Sequence, residues 1–157
     1  MKDEKAKSEL EVDVNEMTSM LDSYVSFVKT VEKKGVELTI KEKNNIQTSG
    51  RQIQLKRAFN NIIDNSQRYA KKIEINLYKN EKDCVIEFND DGEGIPRDKY
   101  EDVFKPFFTL DPSRNKLKGE SGLGLTITRD IIRSHGGDVK LSDSNLGGLQ
   151  LKVLLPL

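Results

Sequence analysis

Two pairs of short strands joined by tight polar turns constrain the fold of this chain most strongly. The segments IEINLY (73–78) and CVIEF (84–88) alternate apolar and polar residues around the turn KNEKD, and DVKLS (138–142) and LQLKVLL (149–155) do the same around a glycine-containing turn. Strands joined by so few residues pair antiparallel. With a further short strand at VELTI (36–40), the pattern predicts an α/β two-layer sandwich, in which a mixed, mostly antiparallel sheet has its helices on one face.

Three segments have the apolar spacing of amphipathic helices. The second spans roughly 52–70, and the third begins near 122–125 and ends at Gly136 and Gly137. Residues 1–11 are mostly charged or small and are expected to form a linker, so the predicted domain covers 12–157. The first helix, of about 18 residues, carries one apolar stripe with steps of three or four residues: Met17, Leu21, Tyr24, Val28 and Val31.

The composition excludes several classes of function. The chain has 26 Lys and Arg and 26 Asp and Glu, and this balance argues against a nucleic-acid binder that relies on a basic surface. No apolar run approaches the roughly 20 residues that span a bilayer, and the charged N-terminus does not resemble a signal peptide. Cys84 and His135 are the only residues of their kinds, which excludes an intramolecular disulfide and a His-rich metal site. We expect a soluble, cytoplasmic domain.

The second predicted helix carries a polar strip beside its apolar face. At about 100° per residue, Asn61, Asn65 and Arg68 fall on one flank together with Ala58. Residues four apart lie one turn above the other, so the two amides form a row that Arg68 continues. Amides both donate and accept hydrogen bonds, and the guanidinium fork matches phosphate. The strip is either one wall of a metal and phosphate site or a solvated boundary.

Two glycine-rich segments flank a cluster of phenylalanines. In the first, at 89–96, Asp90 ends a strand, where a buried carboxylate can accept a hydrogen bond from an exocyclic amine such as that of adenine; the alternative is an ordinary acidic turn. The second, at 119–125, opens a helix, where successive amides form an anion site; the alternative is a flexible hinge. Phe104, Phe107 and Phe108 lie between them and either anchor a lid or form a satellite core.

The order of these motifs is more specific than any one of them. Paired asparagines on a helix, Asp-x-Gly-x-Gly after a strand, Phe-x-Pro-Phe-Phe and then Gly-Leu-Gly-Leu opening a helix resemble the ATP-binding catalytic domain of bacterial two-component sensor histidine kinases, and within that family the osmosensor-type kinases. The resemblance covers 12–157 and implies the Bergerat ATP-binding fold, with ATP and Mg²⁺ as cofactors. It also implies that residues 1–11 are a linker or the end of a preceding dimerisation region.

The resemblance implies roles for individual positions. Asn65 resembles the asparagine that ligates Mg²⁺, and Asn61 and Arg68 complete the implied catalytic set. The resemblance implies that Asn65, Arg68 and Tyr69 contact the nucleotide, with Arg68 and Tyr69 near the phosphates and the base, and Asp90 resembles the aspartate that reads adenine. Phe104 belongs to the implied aromatic box. The other implied nucleotide contacts fall in the two glycine segments and in that box: Asp91, Gly92, Glu93, Gly94, Ile95, Phe107, Phe108, Thr109, Ser121, Gly122, Leu123, Gly124 and Leu125.

Three positions depart from the family's pattern. Thr109 stands where many relatives have a lid arginine near the γ-phosphate, Glu120 replaces a common glycine, and Asp91 replaces a frequent asparagine. A basic residue of the segment before Glu120 can substitute for the missing arginine, and three are candidates: Arg114, Lys116 and Lys118.

The chain has no H-E-x-x-P-like motif of the kind that carries the family's acceptor histidine. His135 lies at a predicted helix end, which favours a C-terminal cap. An amide at position 61 cannot take a proton from water, so the resemblance implies phosphoryl transfer to a histidine on a separate dimerisation domain, with a response regulator downstream. It also implies a monomeric domain and a parent sensor anchored in the inner membrane. Two alternatives are an anti-sigma-type serine kinase of the same fold and a non-catalytic nucleotide sensor.

Overall fold

The computed structural model describes residues 37–42, 50–110 and 123–157. The predicted first helix and the basic candidates Arg114, Lys116 and Lys118 lie outside these ranges, as do Glu120, Ser121 and Gly122. The described elements are, in chain order, β1 (Glu37–Glu42), α1 (Gln52–Tyr69), β2 (Lys72–Lys79), β3 (Asp83–Asp90), 3-10 turns at Arg97–Lys99 and Asp102–Phe104, α2 (Gly124–Ser134), β4 (Asp138–Asp143) and β5 (Leu149–Pro156).

The described strands form one five-stranded sheet in the order β1-β2-β3-β5-β4. Strand β1 pairs parallel to β2, with Leu38 opposite Ile73, whereas the other three pairs are antiparallel. The parallel pair needs a crossover connection, and α1 lies between these two strands in the sequence. The predicted mixed, mostly antiparallel sheet is therefore confirmed, and both predicted hairpins are present.

Both described helices pack against the same face of the sheet. The core combines α1 side chains such as Phe59 and Ile62 with Ile132 of α2. The strands contribute alternate residues, as their pleat requires: Ile73, Ile75, Leu77, Cys84, Ile86, Phe88, Leu151, Val153 and Leu155. The two-layer sandwich is thus confirmed. Ala58, which the helical spacing assigned to the polar strip of α1, is instead fully buried.

The opposite face of the sheet carries a hydrogen-bonded polar network. The Tyr78 hydroxyl donates to the Glu87 carboxylate at 2.6 Å, and Lys152 lies 3.3 Å from the same oxygen. Burial, followed by the interaction with Glu87, raises the pKa of Tyr78 to about 12. No helix among the described residues is long and apolar enough to cross a membrane.

His135 joins the start of α1 to the end of α2. Its Nδ1 lies 2.7 Å from the Ile131 carbonyl, and its Nε2 accepts the backbone N–H of Arg51 at 2.9 Å. Because Nε2 is an acceptor, the ring proton lies on Nδ1 and is donated to Ile131. The side chain therefore caps α2, as predicted, and it also binds the residue before α1, which has no side-chain cap of its own.

Candidate functional site

Asp90 ends β3 with a buried carboxylate that has one oxygen fully engaged. Its Oδ1 accepts the backbone N–H groups of Gly92 and Leu149, each at 3.0 Å. Its own carbonyl accepts the N–H of Gly148 at 3.1 Å. Within the described ranges, all hydrogen bonds of this carboxylate use Oδ1, so Oδ2 is left for a ligand. Burial raises the pKa of Asp90 above its ordinary value, and the two backbone bonds oppose that rise.

Two glycines let other parts of the backbone approach Asp90. A Cβ on Gly92 would lie 2.9 Å from the Tyr69 carbonyl oxygen, at the end of α1. A Cβ on Gly148 would overlap Asp90 Oδ1 and the Gly92 nitrogen. The carboxylate is therefore enclosed by its own loop and by the turn between β4 and β5, and only glycine fits at position 148.

The loop after Asp90 is held at both ends. Asp91 Oδ1 accepts the backbone N–H groups of Lys71 and Lys72, at 2.8 and 2.9 Å, and these bonds lower the pKa of Asp91. Past the loop, the Arg97 guanidinium donates to the Asp143 carboxylate at 2.7 Å. Four predicted site residues lie between these two contacts: Gly92, Glu93, Gly94 and Ile95. Of these, Glu93 is exposed, Gly94 has a positive φ of 72°, and Ile95 packs against the core.

The two asparagines of the polar strip, Asn61 and Asn65, form an amide strip on α1, and Asn61 approaches the start of α2. Asn61 Nδ2 lies 3.4 Å from the Gly124 carbonyl, a long hydrogen bond. Asn65, one turn further, is half-buried, and its side chain has no hydrogen-bond partner among the described residues. Arg68 is exposed and Tyr69 is half-buried at the helix end. Asn61 is thus in contact with the glycine segment through Gly124, and the roles of Asn61 and Asn65 stay predictions.

Helix α2 begins at the glycine segment without a side-chain cap. Leu123 precedes its first residue and makes no side-chain hydrogen bond to the first turn. The first N–H groups of a helix have no acceptor within it, and together with the helix dipole they attract anions. Leu123, Gly124 and Leu125 therefore form a candidate phosphate site beside the amide strip.

The three phenylalanines of the aromatic segment have different environments. Phe104 is buried in the core and Phe108 packs against it. Phe107 is 73% exposed and has a left-handed φ of 61°, at the third position of a turn closed by the Phe108 N–H and the Lys105 carbonyl. The Thr109 hydroxyl is buried and has no hydrogen-bond partner in the described part of the chain.

Sequence reasoning missed the residues that support the site from outside its motifs. Gly148 and Leu149 hold Asp90, but the sequence indicated only a turn there. Three residues of α2 also contact the flanking segments: Thr126, Thr128 and Arg129. Hydroxyls on a helix give no pattern that distinguishes an internal contact from a solvated one, so no sequence signal marks the two threonines.

Residues 50–157 match the family described as histidine kinase-, DNA gyrase B- and HSP90-like ATPases. The chain belongs to this family. Its relatives include the sensor histidine kinase CpxA of Escherichia coli (strain K12), 40% identical over 104 residues, which are 66% of this chain and 23% of CpxA. The histidine-protein kinase BaeS of the same strain is 32% identical over 127 residues, 79% of this chain and 27% of BaeS.

Solved structures of this family share the fold. The mycobacterial sensor histidine kinase MprB superposes with a TM-score of 0.72 at 24% identity, covering 88% of this chain and 92% of that one. The catalytic domain of histidine kinase ThkA gives a TM-score of 0.72 at 23% identity and covers 92% of each chain. The chain spans only about a quarter of the length of the curated family members named above. The predicted resemblance to the ATPase domain of sensor histidine kinases is confirmed.

Proposed function

We propose that this domain binds ATP with Mg²⁺ and transfers the γ-phosphoryl group to a histidine on a separate dimerisation domain. The observation that carries the proposal is the state of Asp90, which is buried, fixed through Oδ1 and open at Oδ2. A fixed carboxylate oxygen is the acceptor that an exocyclic adenine amine requires. Family membership supports adenine as the group that this acceptor binds, because the matched family is one of ATPases.

The phosphates would lie at the other end of the site. The start of α2, where Leu123 provides no side-chain cap, offers backbone N–H donors, and exposed Arg68 on α1 offers a cationic fork. Both groups lie beside the amide strip, so an ATP molecule bound at Asp90 would extend from the glycine loop towards α2. Tyr69, Phe107, Phe108 and Thr109 remain predicted contacts of the nucleotide.

The single amide oxygen of Asn65 fits a Mg²⁺ ion that is bound mainly by the phosphates of the nucleotide. The Asn65 amide offers one neutral oxygen with no partner among the residues that the structure describes. Mg²⁺ favours oxygen ligands and keeps several waters, with phosphates completing its shell. When bound, the ion would neutralise charge on the phosphates. Asn65 is thus the residue of this chain that we propose to hold it.

The chemistry of Asn61 favours transfer to a protein acceptor over hydrolysis. Its amide donates towards the Gly124 carbonyl and cannot remove a proton from water. Phosphoryl transfer depends mostly on positioning and on charge stabilisation. The acceptor imidazole would attack the γ-phosphorus with its nitrogen lone pair, the bond to the bridging oxygen would break, and ADP would leave.

His135 is unsuited to be that acceptor, because both of its ring nitrogens are engaged at the junction of α1 and α2. The proposed partners are therefore a histidine-bearing dimerisation domain, in the same parent protein or in trans, and a response regulator downstream. We further propose that the domain is monomeric when isolated and lies on the cytoplasmic side of a sensor anchored in the inner membrane.

The test is a transfer assay with γ-labelled ATP, Mg²⁺ and a purified histidine-bearing dimerisation domain from the parent sensor. We expect label on the added domain and none on this chain, and we expect Asp90→Asn to reduce transfer. The acceptor domain with its histidine replaced by glutamine is the matched control. Robust labelling of His135 contradicts the proposal. Tight ATP binding without transfer favours the nucleotide sensor, and label on a serine-bearing partner favours the serine kinase.

A further inference from the structure

Two threonines in the first two turns of α2 form hydrogen bonds with the segments on either side of this helix, at the phosphate end of the site. The Thr128 side chain is fully buried, and its hydroxyl lies 2.8 Å from the Gly124 carbonyl and 3.3 Å from the Ala58 carbonyl of α1. A hydroxyl has a single proton, so the Thr128 hydroxyl cannot donate fully to both carbonyls. It donates mainly to the nearer one, that of Gly124. The same Gly124 carbonyl faces Asn61. Thr128 therefore links the glycine segment to the helix that carries the amide strip.

Thr126 makes the corresponding link on the other side. Its hydroxyl donates to the Phe104 carbonyl at 2.7 Å, where the aromatic segment begins. Arg129 adds to the contact, because its guanidinium carbon lies 4.3 Å from the centre of the Phe104 ring, and it is paired with Glu101 at 3.0 Å. Residues two apart on a helix project about 200° apart, so the two hydroxyls reach opposite neighbours of α2.

We propose, on the basis of the proposed function, that Thr126 and Thr128 are positioning residues for the phosphate end of the nucleotide. They fix the start of α2 between the amide strip and the aromatic segment, and they act on the phosphates through the glycine segment. The carbonyls that Thr128 contacts belong to helices, whose own N–H groups bind helical carbonyls. The Thr128 hydroxyl is therefore not needed to satisfy them, and its contribution is to orientation.

The experiment compares Val and Ser substitutions at each position, because Val retains the branched shape without the hydroxyl and Ser retains the hydroxyl. Affinity is measured for ATP with Mg²⁺ and for adenosine, which has no phosphates, by competition with a fluorescent ATP analogue. We expect Thr128→Val and Thr126→Val to weaken ATP binding by about three- to tenfold. Adenosine binding should change by less than about twofold, since one hydrogen bond far from the base is lost. Thr128→Ser and Thr126→Ser should bind ATP like the wild type.

Several outcomes overturn the inference. Equal weakening of ATP and adenosine indicates a merely structural role, and wild-type affinities in both Val variants indicate no role. Thermal unfolding of every variant is recorded beside the affinities, and Thr128→Val alone decides the matter if Thr126→Val does not fold. A wild-type chain that binds no ATP refutes the proposed function itself, whereas wild-type binding with unaltered Val variants refutes only the role of the threonines.

Discussion

The two ends of the candidate site are held in different ways. At the base end, Asp90 is enclosed by backbone groups, with Gly92 and Leu149 each 3.0 Å from one carboxylate oxygen. At the phosphate end, Asn61 of α1 lies 3.4 Å from the Gly124 carbonyl and Thr128 of α2 lies 3.3 Å from the Ala58 carbonyl, while the Asn65 side chain has no hydrogen-bond partner among the described residues. The base end is fixed by the main chain, whereas the phosphate end is bordered by side chains and by the start of α2, where Leu123 provides no side-chain cap.

This difference indicates what each end can recognise. A preorganised acceptor loses little freedom when it binds, so it favours a single rigid group such as a purine edge. The N–H groups at a helix start and side-chain amides are suited to a charged ligand that brings its own ion and water. Substitutions at the base end should therefore change the affinity for every adenine ligand, while substitutions at the phosphate end should act only on ligands that carry phosphates.

The largest effect is expected for Gly148→Ala. The new Cβ would overlap Asp90 Oδ1 and the Gly92 nitrogen, so the carboxylate or the hairpin turn must move. We expect a loss of about 2–3 kcal/mol in the free energy of unfolding and at least about a hundredfold loss of affinity for ATP and adenosine alike. Chemical denaturation and calorimetry measure the two quantities.

The neighbouring glycine is the matched control for this change. Gly147 has a positive φ of 99°, and a Cβ added there would meet no described atom within 4 Å apart from its two neighbours in the chain. Gly147→Ala should cost only the strain of a left-handed residue, about 1–2 kcal/mol, and should leave both affinities unchanged. Equal effects of the two alanines on affinity would contradict the fixed base end.

Asp90→Asn is expected to have the next largest effect. Two N–H donors face Oδ1, so the asparagine must keep its oxygen there and turn its NH₂ group towards the adenine amine, which is also a donor. Because a charge-assisted hydrogen bond is lost, we expect ATP and adenosine to bind about ten- to a hundredfold more weakly. Calorimetry measures both affinities. Asp138→Asn, in β4, is the control and should bind both like the wild type. Unchanged affinity in Asp90→Asn would reject the role of Asp90.

The stability of Asp90→Asn has a predictable pH dependence. Burial raises the pKa of Asp90, so the charged carboxylate opposes folding at neutral pH, and this cost is relieved as the pH falls through the raised pKa. The variant should therefore be as stable as the wild type or more stable at neutral pH, and its advantage should shrink in acid. An advantage that grows with falling pH would contradict the assigned cause.

Most of the fold was predictable because it rests on local patterns. The alternation in β2, β3, β4 and β5 and the apolar faces of the helices indicated the sheet, the hairpins and the covered face. The parallel pairing of β1 with β2 could not be predicted in this way, since periodicity reports which face of a strand is buried and not which strand lies beside it.

The relation to osmosensor-type kinases within the family stays a prediction.

The candidate site was predictable only where its groups lie in motifs. Asp90, Asn61 and Asn65 lie in segments whose residue order is informative. Leu149 contributes a backbone N–H, which any residue but proline supplies, so its identity carries no signal. The hydroxyls of Thr126 and Thr128 bind carbonyls 22 and 70 residues away in the chain, and such contacts follow from packing alone.

The smallest effect is expected for Asn65→Ala, at the phosphate end. Removing the amide oxygen should reduce the gain in ATP affinity that Mg²⁺ provides by about three- to tenfold. Binding of ADP without metal should change by less than about twofold, because Asp90 and its backbone donors are untouched. Asp64→Ala, the preceding and exposed position of α1, is the control and should alter neither quantity. Titrations with and without Mg²⁺ measure the difference, and equal losses for Mg-ATP and metal-free ADP would remove Asn65 from the metal's ligands and assign it to the nucleotide itself.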